Sequence, residues 1–233
     1  METAVSYRLD GPVATITMDD GAVNVLSPDM LAQLSAALDR AAADRAVVLL
    51  SGRPGIFSAG FDLHVLNAGG ARSAAMVRAG FALAERLLSF PTPVVIECTG
   101  HAVAMGVFLL LSGDYRVGAA GPFQFTANEV AIGLTMPRAA VEILRQRLTP
   151  AHFNRATLLA EPFSPDNAVQ AGFLDRVVSA ADLPEAARGA AESAAALDLN
   201  AHLAAKLRAR QRTLIAVRAA IDADNAEFQA RRA

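Results

Sequence analysis

Residues 91–113 read PTPVVIECTGHAVAMGVFLLLSG, and the order of residue types in this stretch decides the fold. Pro91 and Pro93 end whatever helix precedes them, because proline has no N–H to give to a helix or a ladder. Val94, Val95 and Ile96 then begin a short apolar run of β-branched residues, as in a strand buried on both faces. Gly100 turns the chain, and the apolar residues that follow as far as Gly113 predict a helix entered through that turn. Strand, glycine turn and helix in this order make one unit of an α/β fold.

The same rhythm extends in both directions. Upstream, VATITM (Val13–Met18) is bounded by Gly11-Pro12 and Asp19-Asp20-Gly21 and predicts a strand. Ser27 is a capping residue, Pro28 suits a first helical position, and Leu31, Leu34 and Leu38 recur on one face. Residues 46–50 (AVVLL) predict a buried parallel strand, residues 51–63 a loop with three glycines and a proline, and residues 72–90 a helix. Downstream, residues 115–117 predict a third strand of this central rhythm. Beyond about residue 135 only residues 173–178 look extended, and residues 181–233 are helical and rich in Ala and Arg. The expected organisation is an α/β core over residues 1–180 with right-handed crossovers, followed by a helical extension over residues 181–233.

Composition narrows the function. The chain has 233 residues, 53% hydrophobic and 19% charged, which is enough to bury a substantial core. A net charge of −2 with scattered arginines argues against a nucleic-acid footprint. A single cysteine, Cys98, excludes a disulfide framework within the chain and a cysteine-based metal cluster, and four scattered histidines argue against zinc. No signal-peptide pattern opens the sequence, and its longest greasy run falls far short of the ~20 residues that span a bilayer. These features predict a soluble, cytoplasmic protein with no membrane partner and no metal.

Two loops stand out because each sets glycine between a buried strand and a helix: Gly55 to Leu63 and Thr99 to Gly106. In an open parallel sheet, ligands sit beyond the carboxyl ends of strands, and helix N-termini there offer free N–H groups. Two such turns facing each other can hold one oxygen with two donors and stabilise a developing oxyanion. The alternative is that these glycines serve only turn and packing geometry.

Three ordered pieces, IFSAGFDL (residues 56–63), PTPVVIECTGHAVAMGVFLLLSGDYRVGAAGPFQFTANEVAIGL (91–134) and LTPAHFNRATLLAEPFSPDNAVQAGFLDRVV (148–178), together resemble the crotonase (enoyl-CoA hydratase/isomerase) superfamily. The resemblance implies a crotonase-like fold of repeated ββα units and an acyl-CoA thioester substrate. It implies no metal or redox cofactor, coenzyme A entering as part of the substrate. It further implies C-terminal helices that help assemble a homotrimer or hexamer. The two oxyanion donors fall on the N–H groups of Phe61 (in AGFD) and Met105 (in AMG). Ser58, Ala59, Asp62 and Leu63 lie where the family holds the adenine and pantetheine parts of coenzyme A, and Gly106 and Phe108 belong to the second turn. Lys206 matches a basic position that can meet coenzyme A phosphate, or is a solvated helix lysine.

The acid/base positions depart from the hydratase pattern. Where enoyl-CoA hydratases carry two glutamates, this chain has Phe108 at the first position and Glu129 at the second. A carboxylate beside the apolar VAIGL segment is expected to have a raised pKa. A single glutamate suits the 3-enoyl to 2-enoyl shift, which takes a proton from one carbon and returns it two carbons away. Hydration of a 2-enoyl thioester is the family default. A crotonase-fold hydrolase, decarboxylase or lyase, or a silent acyl-CoA-binding protein, are the other readings. Among the remaining polar residues, Glu97 is expected to pair with an arginine such as Arg116, His101 to cap or pack, and Asp114 to tie a turn. Arg138 reads as a helix-start residue or one facing the acyl pocket, and Asn128 as a partner orienting Glu129. Arg208, Arg210, Arg212, Arg218, Arg231 and Arg232 read as solvated helix, an intersubunit face or a phosphate collar.

Overall fold

The computed structural model describes residues 3–230, with side chains to Glu227. β1 (Val5–Asp10) and β2 (Val13–Met18) form an antiparallel hairpin that turns at Gly11, whose φ of +56° favours glycine. β3 (Val25–Leu26) leads into α1 (Pro28–Ala43), where Ser27 Oγ accepts the Met30 N–H as the sequence predicts. β4 (Val47–Ser51), β5 (Gly55–Ser58) and β6 (Gly60–Phe61) precede α2 (Leu63–Ala68) and α3 (Gly70–Leu88). β7 (Val94–Cys98) and β8 (Gly100–Val103) precede α4 (Met105–Leu111), and β9 (Tyr115–Ala119) and β10 (Phe125–Thr126) precede α5 (Arg138–Arg145). The chain ends with α6 (Pro150–Leu159), α7 (Pro165–Ala171), β11 (Arg176–Val178), α8 (Leu183–Ala195), α9 (Leu199–Ala209) and α10 (Gln211–Ala230).

The large sheet has the order β1-β2-β4-β7-β9-β11 and is parallel except for its first hairpin. Two smaller parallel sheets, β10-β8-β5 and β3-β6, receive the strand that follows each of the central strands. β2-β3-α1, β4-β5-α2, β7-β8-α4 and β9-β10-α5 therefore repeat one ββα unit, the crotonase-like architecture expected. Two local readings change. Residues 51–63 hold β5 and β6 rather than a plain loop, and the predicted helix from Gly100 begins as β8 and becomes helical only at Met105. These strands are two to four residues long, too short to show a period of two.

Both faces of the large sheet are buried at its central strands β4 and β7. Val47 and Leu49 point with Val13, Val95 and Val117 toward Leu183, Ala187 and Ala191 of α8. Val48 and Leu50 point with Ile16 and Ile96 into the main core, which also takes in Leu214, Val217, Ala220 and Ile221 of α10. Within residues 181–233, expected as a C-terminal helical oligomerisation region, α8 packs on one face of the sheet and α10 packs against α3 and α5. Arg231 and Arg232 lie outside the described residues.

The pleat also overturns the expected Glu97–Arg116 pair. Ile96 is opposite Arg116 and Glu97 is opposite Val117, so the two side chains leave the sheet on opposite faces. Arg116 instead makes a forked contact with Asp175, Nη2 to Oδ1 at 2.8 Å and Nε to Oδ2 at 2.9 Å. Burial raises the pKa of Glu97.

Candidate active site

The first turn leaves β5 through Ser58 and Ala59. Ser58 is fully buried; its Oγ donates to Asn24 O at 2.8 Å and accepts the Gly60 N–H at 3.1 Å. Asn24 donates from Nδ2 to Met18 O and Phe57 O, and its φ of +53° is one that asparagine tolerates. Asp20 accepts the N–H groups of Ala22, Asn24 and Val25, which fixes the short loop between β2 and β3. Asp62 caps α2, its Oδ1 accepting from His64 N at 2.9 Å. The ring of Phe61 lies against Gly80 of α3, where a Cβ would come within 2.4 Å of Phe61 Cε1.

The second turn leaves β8 at Ala104, which takes φ 50° and ψ −124° and is held by its N–H to Thr126 O at 2.9 Å. That conformation is costly for any residue with a Cβ. It aims the Met105 N–H, the first of α4, away from the helix, and no acceptor meets it among the described residues. Met105 is fully buried, and its side chain does not line the cavity described below.

The two turns touch backbone to backbone. Gly60 has φ +90°, and a Cβ on it would stand 2.9 Å from Val103 O and 3.1 Å from Met105 N. A Cβ on Gly106 would stand 2.5 Å from Ser58 O. Only glycine permits this approach, which sets Phe61 and Met105 side by side at the carboxyl ends of β5 and β8.

In front of them lies a cavity of about 380 Å³ whose lining includes Ala59, Phe61, Leu63, Phe81, Phe108, Asn128 and Glu129. Phe108 stacks on Phe81 with centroids 5.9 Å apart. Glu129 is 7% exposed, and its Oε2 is buried without a hydrogen-bond partner. Burial pushes its pKa up to about 7. The raised value matches the sequence expectation, but Val130, Ile132 and Leu134 of the VAIGL segment are themselves exposed. Asn128 Oδ1 is also buried without a partner.

The enoyl-CoA hydratase/isomerase family model matches residues 8–231. The chain belongs to the enoyl-CoA hydratase/isomerase family. An enoyl-CoA hydratase/isomerase family protein of Pseudomonas syringae is 47% identical with a TM-score of 0.95, covering 97% of this chain and 98% of its own. A Mycobacterium tuberculosis protein described both as an enoyl-CoA isomerase and as a probable enoyl-CoA hydratase is 47% identical with a TM-score of 0.94, covering 98% of this chain and 100% of its own. Carnitinyl-CoA dehydratase of Salmonella typhi is 28% identical over 195 residues, covering 82% of this chain and 74% of its own length. Membership makes this chain an acyl-CoA enzyme of the hydratase/isomerase type.

Within this family member the expected site residues divide. Phe61, Ala59, Leu63, Phe108 and Glu129 line one cavity with the Met105 turn behind it. Ser58, Asp62 and Gly106 shape the turns: the Ser58 hydroxyl is spent on backbone groups, Asp62 caps α2, and Gly106 is buried against Ser58. Lys206 is a correction. Its Nζ lies 2.8 Å from Asp114 Oδ2 with the side chain 2% exposed, so it is not placed to meet a phosphate. Burial lowers its pKa to about 8. Asp114 ties its turn as expected, accepting the Val94 N–H at 2.7 Å, and also pairs with Arg210 at 2.7 Å. His101 packs as expected, its ring against Phe123 and its Nδ1 accepting from Gln124 N. Arg138 starts α5, as one of its readings had it, and lines the cavity.

Losing the Lys206–Asp114 contact removes a buried charge-assisted hydrogen bond worth about 2 kcal/mol. Lys206→Met is expected to lower Tm by roughly 4–8 °C while leaving KM for an acyl-CoA unchanged. A tenfold rise in KM with an unchanged Tm would restore the phosphate role. No group of three or more His, Cys, Asp or Glu able to hold a metal occurs among the described residues, nor does a helix long and apolar enough to cross a membrane.

Proposed function

We propose that this enzyme moves the double bond of a 3-enoyl-CoA into conjugation with its thioester, using Glu129 as the single acid/base. The observation that carries this reading is the Glu129 carboxylate, buried with its Oε2 unpartnered, lining a cavity whose other catalytic position is Phe108. The ionised Glu129 takes a proton from C2, and the electrons move through the thioester to its oxygen as a dienolate. The N–H groups of Phe61 and Met105 hold that oxygen, each donor contributing about 3 kcal/mol. Glu129 returns the same proton at C4 as the electrons come back, so the double bond has moved and no atom is gained or lost. Phe108 keeps that side dry and disfavours water as a reactant. No cofactor takes part. Coenzyme A runs past Ala59, Asp62 and Leu63, by analogy with the family. A human mitochondrial delta3-delta2-enoyl-CoA isomerase at 29% identity and TM-score 0.90 supports this reading, and enoyl-CoA hydratases of Mycobacterium marinum and Mycobacterium ulcerans at 48% identity support hydration. A second reading, hydration of a 2-enoyl-CoA, draws on Asn128 Oδ1, a buried acceptor beside Glu129 that gives a water a place.

A base must be ionised in the free enzyme. With Glu129 at about 7, kcat/KM for a short 3-enoyl-CoA is expected to rise about tenfold per pH unit below 7 and to level off above it. A profile flat from pH 5 to pH 9 would remove Glu129 from the proton transfer.

We infer further that copies associate as a homotrimer or hexamer. The exposed apolar side chains Ile132, Leu158 and Leu159 support an interface near the site. Light scattering should return three or six times the chain mass, and a monomer would refute the assembly.

A further inference from the structure

The proposed chemistry occupies the part of the cavity around Phe61 and Glu129 and leaves a charged group on its wall without a role. That group is Arg138, at the start of α5, with Asp224 and Glu227 on α10. Arg138 Nη1 lies 3.1 Å from Asp224 Oδ1 and 2.6 Å from Glu227 Oε2. The two carboxylates differ. Asp224 is buried and also accepts the backbone N–H groups of Arg138 and Ala139, so it caps α5 and anchors α10 to it. Glu227 stands three residues on, on the same helix face, with its side chain 39% exposed, and the Arg138 side chain is 55% exposed. The inner contact is a buried anchor, whereas the outer one faces water, where ion pairs hold weakly.

An alkyl chain has no group that needs these charges, so recognition of the acyl chain itself does not account for them. A closure does. We propose that Arg138, Asp224 and Glu227 form a clasp that ends the acyl site and sets the chain length the enzyme accepts. Short chains stay within the cavity. A long chain passes toward solvent by displacing the Arg138–Glu227 contact while Asp224 keeps α10 in place. This inference rests on the reading that the cavity holds the acyl chain of a coenzyme A thioester.

The test is calorimetric binding of saturated, unreactive butanoyl-, octanoyl- and hexadecanoyl-CoA to wild type, Glu227→Gln and Arg138→Gln, beside turnover of a short 3-enoyl-CoA. Each methylene that enters an apolar cavity tightens binding about fourfold. Wild type is expected to tighten from four to eight carbons and little beyond. Both variants are expected to tighten hexadecanoyl-CoA, relative to butanoyl-CoA, about fivefold more than wild type does. Raised salt should move wild type in the same direction, since it screens the exposed pair. Chain-length profiles that coincide in all three proteins would overturn the clasp and leave the Glu129 chemistry standing. Failure of wild type to bind any of the thioesters would overturn the acyl reading and the clasp together.

Discussion

Glu129→Gln is expected to lower kcat for a short 3-enoyl-CoA by about a thousandfold while KM stays within about threefold. The size follows from the chemistry. A positioned general acid or base contributes roughly 10²–10⁴ in rate, and here one carboxylate serves both proton transfers. Glutamine keeps the shape of the side chain but has no basic oxygen to take the C2 proton. Glu129 is buried and its Oε2 has no protein partner, so the substitution breaks no hydrogen bond of that oxygen and relieves the cost of a buried charge. The variant should therefore fold at least as well as wild type. Steady-state kinetics on both proteins, with thermal melting alongside, checks this. A loss of less than tenfold would show that another group moves the proton.

Gly60→Ala is expected to lower kcat/KM by about a hundredfold or more, with a stability loss of about 1–3 kcal/mol. At φ +90° an alanine is strained, and its Cβ would collide with Val103 O and the Ala104 Cβ, each 2.9 Å away. Relief requires the two turns to separate, which withdraws the Phe61 or Met105 N–H from the shared oxygen. Removing one such donor costs about 10²–10³ in rate. The measurement is kcat/KM at a temperature well below the melting point of the variant. Activity within threefold of wild type would mean that the two turns do not act as a paired oxyanion site.

The central strands β4 and β7 were legible because they are apolar on both faces, whereas β1 (VSYRLD), mostly exposed, was missed. The strands of the smaller sheets were not legible, since β6 and β10 are two residues long and carry no period. α2 was missed for a related reason: none of its six residues is buried, so it has no apolar face to read. The two glycine turns were visible as turns, but their contact through Gly60 and Gly106 joins segments about 45 residues apart. Lys206 misled because a lysine on an Ala-rich helix reads as solvated. It is buried only because α9 sets that face over Asp114 and Thr92, at separations of 92 and 114 residues. The role of Asp224 is equally non-local, its partners on α5 lying 85 and 86 residues away. Glu129 was found through the resemblance and Phe108 through its departure from it, and both line the one cavity.

The most direct test of the single-glutamate isomerase is turnover of a short 3-enoyl-CoA beside its 2-enoyl isomer, followed by the absorbance of the conjugated thioester. The account predicts that absorbance appears from the 3-enoyl substrate and that little is lost from the 2-enoyl substrate. Rapid loss of absorbance from the 2-enoyl substrate, with none gained from the 3-enoyl one, would contradict it and make the enzyme a hydratase.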